Sequence, residues 1–435
     1  MTSAEDRRLI ARWSHRFGFG PKPGQFRALV DSGIDRAFNS LIDTTPSLFD
    51  IQLINELLSI KDLGDQPRSN TPQIVPYANE KRRQIRALTL WWISVMCSTD
   101  NPLSERMTWF WHGHWATSFQ KVDEPLLISM QNFTLRRNAL GNFRQMCKEM
   151  VVDPALVYWL DAQLSTAKSP NENLARELME LFILGVDRYS EMDVKQAALA
   201  LTGYRLKKSS GVVAYNAALH YSNPVTILGK TSPLDALSLV DLLVDQDNCL
   251  RFVSERLWYR FVSTSAPLPS DNSLKQSFIN RDISSLVMTL ARHPEMANPT
   301  HSQVKSPLEW AISALRALNI GPYDLPNPDF LINSLDNMGQ KPFFPPNVGG
   351  WPADESWLST ASTQTRLSIA QVLVKFGDLS PIKGIPASQR VDQLADWFGI
   401  YQWSDRTRAS LNAASQDPVR MTVLGLCSPE YVVNA

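Results

Sequence analysis

"PNENLARELMELFILG" (170–185) decides the fold class. Laid out at about 100° per residue, Glu172, Asn173, Arg176, Glu177 and Glu180 fall within one arc of about 140°. The rest of that surface is Leu, Met, Ala, Phe and Ile. One wet stripe on an otherwise apolar cylinder is the pattern of an amphipathic helix. The same spacing of three and four recurs on both sides of the stretch. It predicts helices over 4–16, 25–43, 50–61, 80–98, 102–112, 123–148, 153–164, 172–185 and 190–204. Further helices are expected over 233–245, 248–263, 272–292, 306–318, 326–338, 357–378, 388–398 and 405–413. Asp153 before Pro154, Ser306 before Pro307 and Ser190 before Glu191 carry the chemistry of helix starts.

Three stretches break the pattern. "KDLGDQPRSNTPQIVPYAN" (61–79) is polar and proline-bearing, and reads as an ordered loop or linker. Residues 206–230 contain β-branched, alternating runs around Gly and Asn-Pro, which suit a small hairpin lying on the helices. "GQKPFFPPNVGGWPADESW" (339–357) has too much Pro and Gly for helix or central strand, and too many rings for disorder. The expected fold is therefore mainly α: a large, bundle-like multi-helix domain with a small β-hairpin insertion and a long ordered loop of Pro, Gly and aromatic residues. A boundary near the hairpin would give a helical half over 1–205, the insertion over 206–230 and a second helical half over 231–435; the alternative is one domain over 1–435.

The totals exclude several classes of function. Forty-three basic residues balance 43 acidic ones, so no global field draws the chain toward nucleic acid or an anionic membrane. Cys97, Cys147, Cys249 and Cys427 lie far apart without a CxxC pair, which argues against a zinc knuckle, a redox dithiol or a disulfide framework. The start "MTSAEDRRLIARW" (1–13) carries acidic residues where a signal peptide needs a positive start and an apolar run. Apolar stretches such as "LTLWWISVMC" (88–97) fall short of the roughly 20 residues of a membrane span. A cytoplasmic location is expected. No GxSxG elbow, P-loop, GxGxxG or HExxH is present.

Three groups of residues remain for chemistry. "MTWFWHGHWATS" (107–118) holds two of the six histidines, His112 and His114. Histidine is the commonest neutral metal ligand, but residues at i and i+2 stand about 200° apart on a helix. A shared ligand set needs the helix to stop near Gly113, with His220 as a third ligand. Otherwise the two rings are packing partners of the neighbouring tryptophans. In the polar stripe, Glu172, Arg176 and Glu180 read as a salt-bridge ladder, or Glu177 and Glu180 form an acid/base pair with Arg176 fixing an anion. In the aromatic loop, Trp351 and Trp357 with Asn347 and Arg366 wall a ligand pocket, or the rings pin the loop to the helices.

Taken in order, "RFGFGPKPGQF" (16–26), "SERMTWFWHGHWATS" (104–118), the stretch over 170–204, "VKSPLEW" (304–310), "MGQKPFFPPNVGGWPADESWL" (338–358) and "CSPEYVVN" (427–434) resemble a large bacterial family catalogued as domain of unknown function 1800. The resemblance covers essentially the whole chain. It implies that His112, His114, Arg176, Glu177, Glu180 and Trp351 line one site, and it implies no activity. Where the family has a His-Asp-Pro-Gly-Pro-Lys run, this chain reads "HYSNPVTILGK" (220–230), keeping His220 and losing the charges beside it. Many relatives resemble exported proteins encoded beside a sulfatase-like family, which would supply a partner. Two functions are expected from these readings. One is an enzyme with a His/Glu metal or acid–base site under the aromatic loop, with a divalent metal as cofactor. The other is a non-catalytic helical protein that binds a partner or ligand through residues 339–357.

Overall fold

Helices follow one another from Ala4 to Val432, interrupted by three antiparallel two-stranded sheets. This is the mainly α architecture that the periodicity predicts. The computed structural model describes residues 3–42, 60–270 and 272–434. The helix expected over 50–61 falls almost wholly outside them. Around the predicted hairpin there are two: β1 (Tyr204–Lys207) pairs with β2 (Val212–Tyr215), and β3 (Val225–Ile227) with β4 (Lys230–Ser232). The third pair joins β5 (Gln303–Val304) to β6 (Val433–Asn434).

Several helix starts obey the local signals. Asp153 accepts the Leu156 N–H at 2.9 Å, and Ser190 exchanges backbone and side-chain hydrogen bonds with Asp193 in a capping box. Other boundaries moved. The helix expected over 25–43 is two, Gln25–Ser32 and Ile34–Leu41, separated by Gly33 at φ +85°, a backbone angle that favours glycine. The first helix, Ala4–Arg12, continues as a π-helical turn over Trp13–Phe17. A second π turn, Leu178–Ile183, follows the Glu172–Glu177 helix. Such turns insert one extra residue per bulge and are invisible to a 3.6-residue pattern.

Two apolar cores form, and the Pro102–His114 helix is buried between them. Trp111 and Trp115 join Trp13, Phe143, Phe182 and Phe261 in one; Trp109 joins Trp92, Trp310, Phe343 and Trp397 in the other. Each core draws on residues before 206 and after 230. Among the described residues no helix is long and apolar enough to cross a membrane.

Candidate functional site

The helix expected to end near Gly113 spans Pro102–His114 and includes that glycine. It runs through to His114, so His112 and His114 leave it in opposing directions and enter different cores. His112 Nε2 accepts the Phe343 N–H at 3.2 Å, within a box of Trp92, Trp109, Phe343 and Trp351 rings. His114 Nε2 lies 2.9 Å from the Phe182 carbonyl, among Phe110, Trp111, Trp115 and Phe182. Burial pushes both imidazoles down to about 3, helped at His114 by nearby Arg256, so both are neutral at physiological pH. His220 stands elsewhere, with Nδ1 3.0 Å from the Thr202 carbonyl and its ring against Tyr215. The structure does not bring the three histidines together: each ring has its own partner. Among the described residues no group of three or more His, Cys, Asp or Glu is arranged to hold a metal ion.

The polar stripe resolves into separate pairs. Arg176 grips Glu191 through two hydrogen bonds, at 2.7 and 2.8 Å, and reaches Glu172 at 3.4 Å. Glu180 leaves the ladder, because the π turn rotates it onto the Tyr189 hydroxyl, which donates at 2.7 Å. Glu177 is half-buried; burial, with Glu180 adding to it, raises its pKa.

The aromatic loop is stitched down by named contacts. Phe343, at φ +69°, gives its N–H to His112, and its carbonyl accepts the Phe119 N–H at 2.9 Å. A Cβ on Gly350 would collide with the Gly113 carbonyl, so only glycine lets the loop lie on the helix at that point. Trp351 stacks on Trp109 with ring centroids 4.8 Å apart. Of the expected ligand-binding residues, Arg366 is buried and donates to the carbonyls of Trp357 and Lys305 at 3.0 and 3.3 Å. Trp357 is likewise buried, and Asn347 accepts the Gly349 N–H at 2.8 Å within the loop. These three hold the loop in place. Trp351 faces a cavity.

That cavity, of about 80 Å³, lies between the loop and the Asp247–Phe261 helix, against Trp109, His114, Arg256, Tyr259, Arg260 and Trp351. A smaller space adjoins it, sharing Tyr259, Arg260 and Ala353, and adds Arg16, Arg106, Glu309 and Asp354. Glu309 is a first-turn residue of the Pro307–Ala317 helix, where its Oε2 accepts the Ser306 N–H at 3.1 Å. Its Oε1 binds both Arg106 and Arg260. Burial opposes its ionisation, yet these arginines hold its pKa at about 2. Asp354 is engaged by the Thr264 hydroxyl and, at 2.9 Å, by the Val304 N–H. Four arginines thus face two carboxylates. Arg256 takes part in neither pairing: its half-buried guanidinium has no hydrogen-bond or ion-pair partner among the described residues, and its Nε is shut off from solvent.

The arginine cleft was not foreseen from the sequence. One signal was present: Arg256 and Arg260 stand at i and i+4 of a helix, a like-charge spacing that destabilises unless something answers it. The stretches quoted for the resemblance supply Arg16, Arg106, Glu309, Trp351 and Asp354 to this one place. A search of curated proteins and a search of solved structures each find no match. A family model described as "Protein of unknown function (DUF1800)" matches residues 12–433, nearly the whole chain, and the chain therefore belongs to that family.

Proposed function

We propose that this protein binds a small anionic ligand in the cleft between the 339–357 loop and the Asp247–Phe261 helix. The observation that carries the reading is Arg256. A half-buried arginine without a carboxylate partner, lining the same cleft as Arg260 and Trp351, is the group an anion would pair with. Burial lowers the Arg256 pKa, with Tyr259 opposing the shift and Arg260 adding to it. The aromatic walls offer flat apolar surface to the rest of the ligand. Trp351, expected as a ligand-binding residue, and His114, expected as a metal ligand, both line this cleft. The stripe residues Arg176, Glu177 and Glu180 do not line this cleft, and an acid–base role for them has only the raised Glu177 pKa behind it.

The test is isothermal titration calorimetry of the wild type and Arg256→Met with phosphate, sulfate, benzoate and citrate. At least one anion is expected to bind the wild type, with the variant weaker by ten-fold or more. The absence of any Arg256-dependent binding overturns the reading.

A further inference from the structure

We infer that the ligand is a saccharide with a single acid group at one end, its acid in the Arg256 cleft and its uncharged rings in a groove along the same helix. The inference rests on the anion reading above and adds the body of the ligand to it. The cleft, at about 80 Å³, holds little more than a charged head. A second space of about 770 Å³, within the ordinary range of ligand sites, lies between the Asp247–Phe261 helix and the 263–270 segment. Tyr259 lines both, and with Thr264 it also lines the adjoining arginine space. Tyr259 is 42% exposed and stands one helical turn after Arg256, so cleft and groove meet at this residue. From Asn248 to Tyr259 the groove follows the helix for about 16 Å at the helical rise, a length for a chain of rings and not for a free small anion.

The walls of the groove select the body. Each charged side chain that lines it already has a partner: Arg251 meets Glu255 at 2.7 Å, Arg188 reaches the same Glu255 at 2.7 Å, and Lys275 meets Asp247 at 3.2 Å. No charge is left to answer a second acid group, so the body is uncharged. A peptide strand would need a run of free backbone groups to pair with, and the walls give none. One wall is a helix, and in the other Pro267 and Pro269 have no N–H, the Ser265 and Ala266 N–H groups donate to the Ser263 hydroxyl at 3.3 and 3.0 Å, and the Ala266 carbonyl accepts the Trp258 Nε1–H at 2.9 Å. A hydrocarbon tail would cover the exposed hydroxyls and amides of Asn248, Ser265, Ser270 and Asn272 without pairing them. Sugar rings meet both demands: their hydroxyls pair with these side chains, and their C–H faces lie on Pro267, Leu268 and the Tyr259 ring.

Calorimetric titrations of the wild type with gluconate, maltotrionate, neutral maltotriose, octanoate and an acetylated tri-alanine peptide test this. Maltotrionate is expected to bind at least ten-fold tighter than each of the others. Glucose 1-phosphate against maltose 1-phosphate repeats the comparison of lengths, and the tighter series identifies carboxylate or phosphate as the acid. Tyr259→Ala is expected to bring maltotrionate within two-fold of gluconate, whereas Arg256→Met weakens both. A second measurement needs only the wild type: in saturation-transfer NMR, protons of the rings remote from the acid should receive saturation from the protein. No gain from gluconate to maltotrionate together with none from glucose 1-phosphate to maltose 1-phosphate, maltotriose equal to maltotrionate, tighter binding of octanoate or the peptide, or no saturation of the remote rings overturns the inference. Arg256-dependent binding of phosphate, sulfate, benzoate or citrate without any gain from added rings overturns it while leaving the anion reading intact. Loss of all Arg256-dependent binding overturns both.

Discussion

Two regions set arginine beside glutamate, and they differ in what they leave over. On the 172–191 surface, Arg176 finds Glu191 and Glu172, and Glu180 finds Tyr189. Glu172, Arg176, Glu180 and Glu191 are each answered by a neighbour no more than 15 residues away in sequence. In the cleft, Arg106, Arg256, Arg260 and Glu309 come from three helices, and one carboxylate serves two guanidiniums while Arg256 is left without any. Satisfied charge on a wet face is ordinary surface chemistry; unsatisfied charge held away from water persists only where the surrounding fold imposes it or a ligand repays it.

The largest effect that would break this comparison is at Glu309. Glu309→Gln leaves Arg106 and Arg260 buried without a counter-charge, and a loss of about 3–5 kcal/mol is expected in urea denaturation. A change near zero would mean that the cleft is not electrostatically strained.

His112→Leu should cost less, about 1–3 kcal/mol, because the buried Phe343 N–H loses its acceptor. The variant also has a pH signature. The folded pKa of about 3 lies below the unfolded value of about 6.5, so the unfolded chain binds the extra proton between them. Wild-type stability contributed by neutral His112 is present above pH 6.5 and is lost as the pH falls toward 3. Denaturation midpoints between pH 7 and pH 5 should therefore fall less steeply in His112→Leu, by up to one proton.

Arg256→Met sharpens the contrast by its sign. Removing an unpartnered, half-buried charge should leave stability within about 1 kcal/mol of the wild type or raise it, while anion affinity falls. Destabilisation of several kcal/mol would mean that Arg256 is structural. Smallest of all, Arg176→Ala should move the thermal midpoint no more than the error of the measurement, since its partners are exposed and screened. A clear drop would remove the distinction between the two regions.

The sequence by itself determined the fold class, most helices, several caps, the hairpin region and the family. These rest on short-range physics: apolar spacing along one helix, a side chain reaching an N–H three residues on, and several motifs in fixed order. It also isolated the aromatic loop and Trp351, because Pro and Gly exclude helix while rings exclude disorder. Only the tertiary structure decided which polar residues meet. Helix continuation through Gly113 sent His112 to a backbone N–H of the loop and His114 to a carbonyl of a π turn. Gathering Arg16, Arg106, Arg256, Arg260 and Glu309 around one cleft required chain segments hundreds of residues apart to pack first. No periodicity records that convergence, because burial and pairing of charge are properties of the assembled interior and not of any local stretch.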